Sequence, residues 1–156
     1  MTAKMNPRGL AILKHYEQGP DGGPALHAYR CPAGKWTISW GVTEGVHAGM
    51  CITPAVAEKM LADAMAPREA ALNKLLQGAP TTPDQFSAML LLLYNIGEPN
   101  FTTSTVLRKH RASDYAGAAA AFGPWNKAHV NGKLVVLKGL TTRRAEEAQL
   151  YLGKLP

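Results

Sequence analysis

The sequence predicts a mainly helical α+β domain with a small antiparallel β-sheet near the N-terminus. The stretch from Lys35 to Trp40 alternates polar and apolar residues with period two, which is typical of a half-buried strand. Helix-start signals, in which an Asn or Thr cap precedes a proline, occur at Asn6, Thr53 and Thr82. The 156 residues are 46% hydrophobic and 18% charged, so we expect a single domain, 1–156, with one packed core.

The first helix is predicted to follow Asn6 and to stop at Gly19. Glu17 then lies in its last turn, beside the negative end of the helix dipole. That position disfavours the ionised carboxylate and suits a group that must hold a proton near neutral pH. A solvated Glu at a helix end is the simpler interpretation, and the residues downstream decide between the two.

A glycine- and proline-rich loop, Gln18 to Leu26, leads to a turn and then to the alternating strand. Cys31 belongs to the turn, and Thr37 belongs to the polar face of the strand. We expect both side chains to face Glu17 across a groove.

The remainder of the chain reads mainly as helices. The helix that begins at Thr53 contains Pro67, which is expected to kink or break it before it ends near Gln77. Thr82 to Gln85 forms a capping box, and the helix after it is apolar nearly all round, as expected for a buried centre. Short helices are expected at 104–110, 113–122 and 142–152, with a small hairpin at the turn Asn131-Gly132.

The net charge of +6 favours an acidic polymer as partner, either nucleic acid or an anionic bacterial envelope. No aromatic-rich basic stripe and no nucleic-acid motif occurs, so we expect no nucleic-acid partner. The N-terminus has no apolar run of secretory length, and the most apolar stretch is far too short to span a bilayer. We expect a protein made in the cytoplasm without stable membrane insertion.

Cofactor and metal sites are not predicted. The five histidines lack metal-ligand spacing, and neither a phosphate-binding glycine loop nor a nucleophile elbow occurs. Cys31 and Cys51 are too few for a disulfide framework, so reduced thiols are expected. A disulfide between these two cysteines is the alternative.

The sequence resembles the glycoside hydrolase family 24 lysozymes, the bacteriophage-type muramidases or endolysins. The family motif A-Y-x-[D/C]-x-x-G-x-x-T-I is matched by A-Y-R-C-P-A-G-K-W-T-I at 28–38. The resemblance continues in order along nearly the whole chain, through Asn95-Ile96-Gly97, Ser104-Thr105-Val106-Leu107, Trp125-Asn126-Lys127 and Arg143-Arg144-Ala145.

The resemblance implies a lysozyme-like fold of two lobes and a muramidase activity on peptidoglycan. The N-terminal lobe would cover about 1–52, a connecting helix about 53–77, and a helical C-terminal lobe about 78–156. Glu17 would be the general acid, Cys31 would replace the usual Asp as base or nucleophile, and Thr37 would position water. A monomer that reaches the periplasmic wall through a holin-like membrane lesion is implied as well.

Three departures from the family pattern bear on activity. Thirteen residues, Gln18 to Arg30, separate the Glu from the Cys where the family has eight. Val42 replaces a histidine that supports the structure by pairing with an acid, and Ser39 replaces a glycine, which is expected to narrow the sugar groove. Asp21 in the inserted loop is a possible substitute carboxylate, and Glu44 is a more distant one. These departures leave a catalytically silent peptidoglycan-binding module of the same fold as the alternative to an enzyme.

Overall fold

A computed structural model describes residues 2–155. Its elements follow in the order α1 Pro7–Tyr16, β1 Ala25–Arg30, β2 Trp36–Ser39, α2 Pro54–Leu75, α3 Pro83–Ile96, α4 Glu98–Thr102, α5 Thr105–Arg111, α6 Tyr115–Ala120, β3 Lys127–Val130, β4 Lys133–Val136 and α7 Lys138–Tyr151. The predicted class, a mainly helical α+β protein with a small antiparallel sheet near the N-terminus, is confirmed.

The described chain divides into two compact units. The smaller unit is Leu10–Pro67, and the larger unit combines the residues up to Gly9 with those from Arg68 onward. Helix α2 runs through the division without interruption and contains Pro67. Because proline lacks an N–H group, the helical hydrogen bond at this position is missing. Within residues 2–155 no helix combines the length and apolar character needed to cross a membrane.

The smaller unit is organised around β1. On one side β1 pairs antiparallel with β2, with Tyr29 opposite Thr37 and a register irregularity between Ala25 and Tyr29. On its other side the chain at 50–52 adds hydrogen bonds, from the Ala28 N–H to the Met50 carbonyl and from the Ile52 N–H to the Leu26 carbonyl. The predicted loop at 18–26 therefore ends earlier than expected, because its last two residues already belong to β1.

Strand β2 is buried on both faces, and the expectation of a half-buried strand is wrong. Thr37 and Ser39, assigned to the polar face, are 2% and 0% exposed. The Ser39 hydroxyl donates to the carbonyl of Ala57 in α2 at 2.8 Å. The expectation that Ser39 narrows a sugar groove is also wrong, because its side chain is fully enclosed by the protein.

The larger unit is centred on α3, as predicted. Every side chain from Phe86 to Leu93 is buried. The capping box at its start is present, with the Thr82 hydroxyl accepting from the Gln85 N–H and the Gln85 side chain accepting from the Thr82 N–H. Helix α7 begins at Lys138, four residues before the predicted start, and the short helix α4 was not predicted.

The larger unit also contains a β-hairpin and a buried cluster of charged side chains. The β3–β4 hairpin turns at Asn131-Gly132, whose φ angles of +52° and +78° are those of the tight turn that this dipeptide predicts. In α7 the buried carboxylate of Glu147 lies 3.1 Å from the guanidinium groups of both Arg143 and Arg144.

Candidate active site

Glu17 follows directly on helix α1 and is half-buried. Its N–H still donates to the Leu13 carbonyl at 2.9 Å, so the residue continues the helical hydrogen bonding by one position. Leu13 is fully buried and fixes this end of the helix in the core. The glycine at 41, in the turn after β2, lies against the Glu17 carboxylate.

This close approach requires glycine at position 41. A Cβ atom added there would lie 2.5 Å from Glu17 Oε2, well inside contact distance, and the φ of +74° also favours glycine. The turn after β2 is therefore shaped around the carboxylate. Sequence reasoning placed Gly41 in the turn after the alternating strand but gave it no role beside Glu17, although a glycine there is a recognisable sign of close backbone approach.

Cys31 lies at the first position of the tight turn that joins β1 to β2. Its N–H donates to the Lys35 carbonyl at 2.9 Å, and its carbonyl accepts from the Gly34 N–H at 2.8 Å. Burial raises the pKa of the Cys31 thiol, but hydrogen bonds to the sulfur from Lys35 and Ala33 backbone groups and from the Thr37 hydroxyl outweigh it. The net result is a thiol pKa below its ordinary value.

The Thr37 hydroxyl, on strand β2, hydrogen-bonds to this thiol. The same hydroxyl also donates to the Lys35 carbonyl at 3.0 Å. A hydroxyl has a single proton, so it can donate to the carbonyl or to a thiolate at Cys31 but not to both. The Lys35 carbonyl and the Cys31 sulfur therefore compete for the proton of the Thr37 hydroxyl.

Tyr29 interacts electrostatically with both Glu17 and Cys31. It is paired with Thr37 in the sheet register and precedes Cys31 by two residues, so all three side chains are directed to one face of the hairpin. The pKa of Tyr29 is raised, first by burial and then by the negative charges of Glu17 and Cys31. The phenol therefore stays protonated as a hydrogen-bond donor within electrostatic range of both groups.

Sequence reasoning quoted Tyr29 as part of a motif but gave it no role. The period-two alternation that placed Thr37 on one face also places Tyr29 there, once the strand register is known. The missing information was the register, which depends on the length of the turn between the strands.

The two alternative carboxylates lie in different surroundings. Asp21, in the inserted loop, lines a pocket of about 450 Å³ that is also bordered by Tyr29. Glu44 lines a separate pocket of about 220 Å³ with Val42, Met60, Asp63 and Ala64. Val42, which replaces the family histidine, is buried there at 6% exposure. Asp21 is therefore the substitute carboxylate that shares a pocket with a residue of the site.

The second cysteine is separate from this arrangement. Cys51 is exposed, its sulfur lies 3.0 Å from Nδ1 of His27, and both cysteines are free thiols. The structure thus has the reduced thiols that the sequence predicts and not the alternative disulfide. Within residues 2–155 no three histidine, cysteine or acidic side chains are grouped as metal ligands.

The sequence and the fold are similar to those of known proteins. The phage lysozyme family model matches residues 21–147. An endolysin of Acyrthosiphon pisum secondary endosymbiont phage 1 is 42% identical over 147 residues, covering 94% of this chain and 97% of the relative.

Two solved structures are also similar to this chain. The endolysin of Escherichia coli O157:H7 phage FAHEc1 is 35% identical with a TM-score of 0.87, covering 99% of this chain and 98% of that one. The muramidase domain of SpmX from Asticaccaulis excentricus is 33% identical with a TM-score of 0.85, over 96% of this chain and 98% of the other. The chain belongs to the phage lysozyme family, and it is a lysozyme, an enzyme that hydrolyses peptidoglycan.

Proposed function

We propose that the enzyme cleaves the β-1,4 bond between N-acetylmuramic acid and N-acetylglucosamine, with Glu17, Cys31 and Thr37 as its catalytic residues. The observation that carries the proposal is the hydrogen-bonded Cys31 thiol, whose pKa is lowered and which shares one hairpin face with Thr37 and Tyr29. The charges of Glu17 and Cys31 both contribute to the raised pKa of Tyr29, which supports a common site for the two residues.

Glycoside hydrolysis requires one group that protonates the leaving oxygen and a second that activates water or attacks the anomeric carbon. Glu17 is the acid, because it is the carboxyl group held against the hairpin by the close turn at Gly41. Cys31 is the second group, since the turn amides and the Thr37 hydroxyl favour its thiolate. Thr37 contributes the hydroxyl that orients the attacking water.

The thiolate has two routes, and they differ in stereochemistry. As a base it takes a proton from water, and the anomeric carbon inverts. As a nucleophile it forms a thioglycosyl intermediate that water then hydrolyses, with net retention. Anomer analysis of the first-formed product by proton NMR separates the two routes.

The test compares wild type with Glu17→Gln, Cys31→Ser and Cys31→Asp on purified sacculi and on outer-membrane-permeabilised Gram-negative cells. Cys51→Ser is the matched control for loss of a thiol. We expect the first two variants to lose lysis while still binding sacculi, and Cys31→Asp and Cys51→Ser to remain active. Lysis that survives Cys31→Ser would reject the role of Cys31 and direct attention to Asp21.

The bond is identified from the new reducing ends. Borohydride reduction followed by mass spectrometry of the released fragments is expected to give muramitol. A glucosaminitol end would contradict the proposed bond specificity.

We further propose that the chain works as a single catalytic domain and as a monomer that reaches the periplasmic peptidoglycan from the cytoplasm through a holin-like lesion. The full-length similarity to phage endolysins supports this proposal. Expression in Escherichia coli with and without a co-expressed holin tests the route. Lysis that starts equally early without the holin would contradict it.

A further inference from the structure

The β3–β4 hairpin carries an unusual surface. Within residues 2–155 the large hydrophobic side chains that are exposed are Val56, Val130, Leu134, Val136 and Leu152. Three of these belong to this one hairpin, and two of them, Leu134 and Val136, are 58% and 59% exposed. Scattered single apolar side chains are normal on a surface, whereas a cluster on one projecting element marks an interaction site.

The register shows which of these side chains share a face. Lys127 is opposite Val136, and His129 is opposite Leu134. Since cross-strand partners lie on the same face of a sheet, these four side chains form one surface, and all four are exposed. We call this surface the hairpin face.

The charged residues of the segment 123–145, which contains the hairpin, are all basic. The sequence from 123 to 145 contains no Asp or Glu, while Lys127, Lys133 and Lys138 are all exposed. The Lys127 ammonium contacts neutral groups, the Pro124 carbonyl at 3.4 Å and Asn126 Oδ1 at 3.3 Å, so its positive charge remains. The hairpin therefore combines aliphatic side chains with a surrounding positive field.

The hairpin is held firmly at its base. The Leu137 N–H donates to the Asn126 carbonyl at 2.9 Å, and the Asn126 side chain donates to the Thr141 hydroxyl in α7 at 3.0 Å. With strands of four residues, the element extends about 14 Å at the usual rise per residue. It is thus a short, braced projection.

We propose that the hairpin face docks on the surface of a bilayer that contains anionic phospholipid. Leu134 and Val136 enter the interface between headgroups and acyl chains, Lys127 on the same face contacts the phosphates, and the other lysines add to the positive field. A bilayer with anionic lipid interacts favourably with both the aliphatic side chains and the lysines. Its acyl region is apolar, and its headgroups are negatively charged.

Other occupants fit the same surface less well. A second copy would place lysines against lysines, and a four-residue hairpin face is far smaller than the roughly 800 Å² per partner of a stable interface. A glycan chain or a nucleic acid would be recognised by polar and aromatic side chains, and Leu134 and Val136 offer neither.

The proposal is tested by flotation of the full chain with vesicles of phosphatidylcholine containing 30% phosphatidylglycerol, beside vesicles of phosphatidylcholine alone. We expect wild type to float with the anionic vesicles only. The variant Leu134→Gln/Val136→Thr is expected to lose at least about tenfold in partitioning. Lys127→Gln/Lys133→Gln is expected to lose about 25-fold at low salt, roughly fivefold for each lysine.

The matched control changes the exposed apolar residues outside the hairpin, as Val56→Thr/Leu152→Gln, and is expected to float like wild type. Hydrolysis of purified sacculi, which contain no lipid, is expected to be unchanged in all of these variants. That readout shows that the variants are folded and separates this proposal from the catalytic one.

Three results would overturn the inference. The first is absence of wild type from the anionic vesicles. The second is full binding by the Leu134/Val136 variant, which would show that general electrostatic attraction alone accounts for binding to the anionic vesicles. The third is a defect of the hairpin variants in sacculus binding or in a concentration-dependent dimer, which would assign the face to glycan or to a second copy.

Discussion

At the scale of single residues, the turn at 31–35 favours ionisation of the Cys31 thiol. An ordinary thiol has a pKa of about 8.5 and is mostly neutral at neutral pH. In this turn, hydrogen bonds from backbone groups and from the Thr37 hydroxyl favour the thiolate and lower the thiol pKa despite the opposing effect of burial. The turn thus favours the charged form of the thiol, which is the form that acts as a base or nucleophile.

Thr37→Val tests the contribution of the hydroxyl. Valine keeps the shape of threonine but removes the donor, so the Cys31 pKa is expected to rise and the thiolate fraction at neutral pH to fall. The measurement is the rate of iodoacetamide alkylation against pH in a Cys51→Ser background. Thr37→Ser retains the hydroxyl and is expected to keep the original profile. An unshifted profile in Thr37→Val would show that the backbone amides alone set the pKa.

Gly41→Ala tests the close approach to Glu17. The added methyl group would meet the carboxylate and would also impose a left-handed backbone on alanine, which costs about 1–2 kcal/mol. Gly45→Ala is the matched control, because its φ of +72° gives the same strain while nothing lies within 4 Å of the new atom. We expect similar losses in urea-unfolding stability for both variants, and loss of lysis for Gly41→Ala only. Equal lysis by both would contradict the steric role of Gly41.

At the scale of elements, hydrogen bonding and register decide which side chains are buried. In β2, alternation correctly separates Trp36 and Ile38 from Thr37, but both faces of this strand are covered. Ser39 has a φ of +59° and bonds to the Ala57 carbonyl. A sequence pattern reports which residues share a face, whereas the neighbouring elements decide whether that face meets solvent.

A second buried polar group joins α5 to α7. His110 is 1% exposed, and its ring nitrogens lie 2.9 Å from the Thr81 hydroxyl and 2.7 Å from the Tyr151 hydroxyl. The Thr81 hydroxyl donates to the Ala79 carbonyl and so accepts from Nε2 of the ring. The Tyr151 hydroxyl then donates to Nδ1, which requires a neutral imidazole.

This arrangement predicts a loss of stability in acid. Burial lowers the pKa of His110 in the folded protein, so the unfolded chain binds the proton more readily. The stabilising effect of the neutral ring is present above the unfolded pKa of about 6.5 and is lost as the pH falls below it, by at most about 1.4 kcal/mol per pH unit. Urea unfolding at several pH values between 5 and 8 measures this loss of unfolding free energy.

The comparison variant is His110→Gln, which is less stable at pH 8 because it loses this packing and bonding. The difference in unfolding free energy between wild type and His110→Gln is expected to shrink as the pH falls. His129→Gln, an exposed histidine in β3, serves as control. A wild-type advantage that is constant with pH would show that His110 is not held neutral.

At the scale of the whole molecule, the net charge of +6 predicts an electrostatic contribution to encounter with the anionic cell wall. Salt screens such attraction, with a screening length of about 10 Å at 0.1 M. The clearing rate of permeabilised cells is therefore expected to fall as the sodium chloride concentration is raised. The triple variant Lys59→Gln/Lys74→Gln/Lys154→Gln lowers the net charge from +6 to +3 and should flatten this dependence. An equally steep dependence in the triple variant would contradict the mechanism.

Local sequence signals were sufficient to predict the fold class, the buried helix α3 with its capping box and the Asn-Gly hairpin, because caps, prolines, turn residues and apolar periodicity act locally. The sequence also supplied the three residues proposed for catalysis, through the motif that contains Cys31 and Thr37. The positions of Tyr29 and Gly41 beside the site, the burial of Ser39 and the exposure of Leu134 and Val136 became evident only in the folded chain. These depend on strand register and on contacts between residues distant in sequence, and a linear pattern does not contain that information.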